Sequence, residues 1–228
     1  MVSLRAVWEG SAGVPSVVQT IEIRITTGQG TMRELVDPQQ APGASIAGVP
    51  LGDATVEIFG YDVRLLGLPD LTEVEVAPSY ASDPESIFVR GGTTTDAGEI
   101  EVRAQPFLTQ FGPLPGEVDV LPSTRVEFLL VIAVGAIEAG SIDVTVDGVA
   151  QVVAGEALAD SDLEPCVDGT TSPCGSADLG LSGFRFRASS AALPAFDTVA
   201  VEVDAAGGEP ARALSYQYSF DTADDGEG

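Results

Sequence analysis

The densest group of side chains able to do chemistry lies in residues 157–180, ALADSDLEPCVDGTTSPCGSADLG. Asp160, Asp162, Glu164, Asp168 and Asp178 crowd this loop with hard carboxylate oxygens, the ligand type that calcium prefers. The spacing is not that of an EF-hand, because the glycine and glutamate that such a loop needs at fixed positions are missing. Cys166 and Cys174 are the two cysteines of the chain and sit in the same loop. Two thiols with no further soft ligand are expected to form one local disulfide rather than a metal site. The plain alternative to calcium is a solvated acidic loop on an acidic chain.

Absences exclude much other chemistry. Of 228 residues 35 are acidic and 10 basic, a formal charge of −25, and every basic residue is arginine. Such a chain repels nucleic acid and anionic membrane faces, so neither is an expected partner. There is no histidine, lysine or asparagine. That removes the usual imidazole base and metal ligand, Schiff-base chemistry and the N-glycosylation acceptor. No Gly-x-Ser-x-Gly elbow or phosphate-cradling glycine motif occurs, and nothing marks a pair of carboxylates for hydrolysis, so an enzyme is the least expected class. A GC-rich genome and adaptation to high salt both account for the missing residue types.

The elements that must carry the loop read as strands. Val2, Leu4, Ala6 and Trp8 alternate with polar neighbours, with Trp8 turned into a core, and Ile21, Ile23 and Ile25 face away from Glu22 and Arg24. Short strands are also expected at 73–76, 86–89 and 99–103, separated by Pro, Asp and Gly. In 197–222, Val199, Val201 and Val203 alternate along one strand and Tyr216, Tyr218 and Phe220 along the next, with AAGGEPARA between them as a loop. The fold class expected is all-β: two tandem immunoglobulin-like or transthyretin-like β-sandwich domains. Their bounds are 1–104 and 117–222, with a proline-rich connector at 105–116 and an acidic tail at 223–228. Residues 1–104 hold six arginines and fifteen acids, and 105–228 four and twenty.

Two stretches resemble known families. SIAGVPLGDATVEIFGYD, Ser45–Asp62, is similar to a hairpin of transthyretin-like and carboxypeptidase-regulatory-like sandwiches in bacterial surface proteins. The second half resembles bacterial immunoglobulin-like domains through Val126, Phe128 and Leu130, then Ser141, Ile142, Val144, Thr145, Val146, Asp147 and Gly148, and the closing YSFDT. It departs from that pattern in the insertion 150–178. The resemblance implies a non-enzymatic structural or interaction module of a bacterial envelope or secreted protein: a spacer, stalk or adhesin-like segment whose partner is a protein or glycan at the cell surface. The start, MVSLRAVWEG, has neither the basic nor the apolar region of a leader, so an exported chain is expected to have one outside this sequence. No stretch reaches transmembrane length.

One strand breaks the sandwich pattern. In Val126–Val134 both faces are apolar after Glu127, with Leu129, Val131 and Ala133 opposite Phe128, Leu130 and Ile132. A strand with one wet face does not read this way. Leu129, Val131 and Ala133, with Phe107 and Phe111 of the connector, are therefore candidate interface residues, between the two domains or toward a second copy in a homopolymeric filament.

Overall fold

A computed structural model of the chain describes residues 1–40, 43–64, 77–158, 160–166, 181–189 and 193–223. The chain is all-β apart from two single 3-10 turns among the described residues. It divides into two compact units, Met1–Ala104 and Gln105–Gly228.

The first unit contains β1 (Val2–Trp8), β2 (Thr20–Thr27), β3 (Gly30–Val36), β4 (Gly43–Ile46), β5 (Gly52–Tyr61), β6 (Tyr80–Ser82), β7 (Glu85–Val89) and β8 (Thr95–Ala104). They join in the order β3-β2-β5-β6-β8-β1-β4, and β7 lies against the start of β5. Every pairing is antiparallel except β1 with β8, which is parallel. The alternation in β2 does what its period dictates. Ile23 stands opposite Ile58 and Ile25 opposite Val56, all four buried. Trp8 is buried edge-on to Tyr80, with ring centroids 5.5 Å apart. Gly60 makes room for it, since a Cβ there would come within 3.0 Å of the indole. The strand expected at 73–76 lies outside the described residues.

The second unit contains β9 (Phe107–Gly112), β10 (Glu127–Ile132), β11 (Asp143–Val146), β12 (Val149–Val153), β13 (Glu156–Ala157), β14 (Asp162–Cys166), β15 (Ser182–Arg187), β16 (Thr198–Gly207) and β17 (Arg212–Asp221). They form two antiparallel sheets, β14-β15-β10-β9 and β13-β12-β11-β16-β17. Phe128, Leu130 and Ile132 of one sheet and Val199, Val201 and Val203 of the other are buried, and Phe111 of β9 meets the Tyr218 ring of β17 edge-on at 5.1 Å.

Two expectations change here. Half of the connector 105–116 is strand: Phe107, Leu108 and Thr109 pair with Val131, Leu130 and Leu129. Its prolines flank Phe107–Gly112 instead of interrupting it, which leaves the backbone donors of those six residues free to join a ladder. The loop AAGGEPARA is also shorter than its composition suggested. Ala205, Ala206 and Gly207 continue β16 opposite Leu214, Ala213 and Arg212. Small residues are needed there because the chain passes close to Ala136, whose carbonyl would lie 2.8 Å from a Cβ on Gly207.

Candidate functional site

The acidic stretch begins on an edge strand, and the fold sets its carboxylates against arginines. Asp162 stands opposite Arg187 across the β14–β15 ladder, and Glu164 opposite Arg185. One strand further in, Glu127 stands opposite Arg187 and accepts from Arg187 Nε at 3.2 Å and Arg185 Nη2 at 3.4 Å. Arg125 closes the end of this face. Its Nη2 donates to the Asp160 carbonyl at 2.8 Å and to Asp162 Oδ2 at 3.3 Å, and its Nε donates to the Ala188 carbonyl. Because side chains alternate along strands, residues two apart on β14, β15 and β10 meet on one face, and opposite charges in adjacent strands brace the sheet.

Asp160, Asp162 and Glu164 are the described members of the expected calcium group. Asp160 and Asp162 share Arg125, and Asp162 and Glu164 are laid out along a strand rather than converging on a point. Among the described residues no group of three or more acidic or cysteine side chains is placed to hold a metal. Asp168, Asp178 and Cys174, the remaining members of the expected site, lie outside the described residues. Cys166 ends β14 and is not a free thiol.

Three of the expected interface residues are buried in the folded chain. Leu129 is 4% exposed, Val131 1% and Phe107 0%, so the face they form is not open to a second chain. β10 is an inner strand with β9 and β15 on either side, and its apolar residues are closed over in the folded chain. Ala133 is half-buried. Phe111, also half-buried, packs against Tyr216 and Tyr218.

One charged group was not legible in the sequence. Glu22, only 1% exposed, points away from Ile21 and Ile23 and receives three donors. Arg33 binds it through Nε and, at 3.2 Å, Nη2; Arg24 binds it at 3.2 and 3.3 Å; and Tyr61 Oη donates at 2.7 Å. Arg24 also lies over the Phe59 ring, 4.4 Å from its centroid. Burial alone would push the Glu22 carboxyl up, but the hydrogen bonds from Arg33, Tyr61 and Arg24 outweigh it and hold the group below the ordinary carboxylate range. The Tyr61 phenol is pushed well above its usual value by burial and by the bond to Glu22. A carboxylate held ionised by three donors neither releases a proton near neutral pH nor reaches out to take one. Its chemistry is to join β2, β3 and β5.

A groove of about 580 Å³ lies beside β5 and β7, lined by Thr26, Asp53, Thr55, Ser86 and Phe88 among others. It offers hydroxyls, one carboxylate and an exposed aromatic ring.

No protein-family model matches the chain, and no curated protein matches it. Among solved structures, the crystal structure of BcpA, the major pilin subunit of Bacillus cereus, aligns over 97% of this chain and 68% of its own. The identity is 10% and the TM-score 0.28, a likeness too loose to bear on how this chain folds or assembles.

Proposed function

We propose that the chain is a non-catalytic structural module that works outside the cytoplasm, as a spacer or stalk segment at a bacterial cell surface presenting itself or its neighbours to a protein or glycan. In this reading the first unit is a transthyretin-like sandwich and the second an immunoglobulin-like one. The observation that carries it is the use the fold makes of its ionisable groups. Glu22 with Arg24 and Arg33, Glu127 with Arg185 and Arg187, and Asp162 with Arg125 are ties within and between strands. None of these groups lines the groove beside β5 and β7.

The cysteine chemistry supports export. Cys166 is not free, and Cys174 is the other cysteine of the chain. A disulfide between them would persist in an oxidising compartment and be reduced in a bacterial cytosol. Labelling intact source cells with an antibody to the folded chain tests the location, and incubation with ester, peptide and glycoside substrates tests the absence of turnover. Surface labelling with no hydrolysis is the expected outcome. A chain confined to the cytoplasm, or turnover lost on removal of a single carboxylate, would overturn the reading.

A further inference from the structure

The first unit is entered along β1 and left along β8, and these two strands are neighbours that run parallel. Val2 pairs with Thr95, Arg5 with Glu99, Ala6 with Ile100, Val7 with Glu101 and Trp8 with Val102. Backbone bonds mark both ends of the pair, from Thr95 N to Met1 O and from Glu9 N to Val102 O, each 2.9 Å. Side chains add ties along it: Arg5 to Glu99 at 3.1 Å, and Glu9 Oε2 accepting from Ala104 N at 2.8 Å.

Parallel pairing decides how tension reaches these bonds. Two parallel strands start side by side, so the start of β1 and the finish of β8 are at opposite ends of the ladder. Pulling Met1 away from Gln105 slides one strand along the other and loads the bonds together. Antiparallel terminal strands would present both pulled ends at one end of the ladder, and the bonds would open one after another. One face of the pair is covered, since Val2, Leu4, Trp8, Ile100 and Val102 are buried beneath it. The other face, with Arg5, Val7, Glu99 and Glu101, is open to water, so the resistance comes from the bonds being loaded together.

We infer that the β1–β8 pair is a shear clamp that lets the chain carry tension from one end to the other. This rests on the reading of the chain as a structural module and gives that module a mechanical task. The second unit repeats the device after β9. Residues 116–120 run beside the end of β17, with Gly116 N to Ser219 O at 2.7 Å, Asp221 N to Glu117 O at 2.8 Å and Ala223 N to Val120 O at 2.8 Å, and Val120 and Thr222 form a parallel bridge. The strand that meets the load first, β9, is an edge strand paired antiparallel to β10 alone.

The test is single-molecule pulling of the whole chain in two geometries. In one, the handles are at the two chain ends. In the other they are attached through Gln19→Cys and Asp37→Cys, at the open end of the β2–β3 hairpin, where tension peels β3 from β2 one bond at a time. Release of the first unit is recognised by its length, about 350 Å of extended chain for Met1–Ala104. The expected result is an end-to-end unfolding force several times that of the hairpin geometry. Val7→Pro then sharpens the test. Val7 is 41% exposed, and by strand alternation from Glu9 its N–H faces β8, while β4 pairs only with Val2–Arg5. A proline there deletes a clamp bond without opening the core. It is expected to lower the end-to-end force toward the hairpin value and to leave the hairpin force unchanged. If that variant does not fold, the two geometries on the otherwise unchanged chain still decide the matter. Equal forces in the two geometries would overturn the clamp while leaving the spacer reading standing, because that reading falls instead on location or turnover.

Discussion

Glu22 is the side chain on which the first unit's polar face depends. Replacing it with glutamine leaves Arg24, partly buried, and Arg33, exposed, without their counter-ion; both can turn to water, so the loss is that of charge-assisted hydrogen bonds, about 1–2 kcal/mol. The pH dependence follows from the lowered carboxyl. Its contribution is complete above the unfolded pKa, about 4.3 for a glutamate, and is lost as pH falls through the still lower folded value. Urea unfolding of the chain and of Glu22→Gln should therefore differ most near neutral pH and converge in strong acid. A difference that stayed constant down to strong acid would show that the carboxylate charge is not what holds the cluster. The alternation of Glu22 and Arg24 with isoleucines was plain in the sequence. That Arg33 and Tyr61 also reach Glu22 was not, because they come from β3 and β5, and only strand pairing brings them to the same face.

Among the elements, the hairpin β16–β17 and the inner strand β10 set the second unit. Gly183 of β15 lies opposite Val131, and a Cβ there would fall 2.0 Å from the Leu130 carbonyl oxygen and 2.7 Å from Val131 Cα. Gly183→Ala must push β15 off β10, and overpacking of this kind costs about 1–3 kcal/mol. Thermal unfolding should show the second unit's transition lowered and the first unit's unmoved; an unchanged second transition would mean that β15 yields without loss. Period-two alternation made β1, β2, β5, β16 and β17 legible. It failed at 105–116, where counting prolines outweighed the apolar run Phe107–Leu108 that β10 needed as a partner. The apolar second face of β10 was legible as unusual, with burial inside the chain and a second copy as its two readings; Leu129 and Val131 prove to be buried. A central strand closed over within the folded chain has the same composition as one waiting for a partner.

For the whole molecule, the dominant quantity is a charge of −25 on 228 residues. Like-charge repulsion on this scale opposes compactness and is relieved by screening, whose length is about 8 Å at physiological ionic strength. Melting temperature should therefore climb with sodium chloride. Calcium and magnesium, compared at matched ionic strength after chelation, should stabilise equally if the acidic loop is only solvated. A rise specific to calcium would show that the folded chain binds the ion. What the sequence determined by itself was the fold class, the chemistry that missing residue types rule out, and most strand positions, because composition and period are local properties of the chain. What only the tertiary structure decided was partnership: which carboxylates meet arginines, which apolar strip is covered, and that β1 runs parallel to β8. Those depend on residues from 11 to some ninety positions apart coming into register, and no local pattern encodes which distant strand a given strand will pair with.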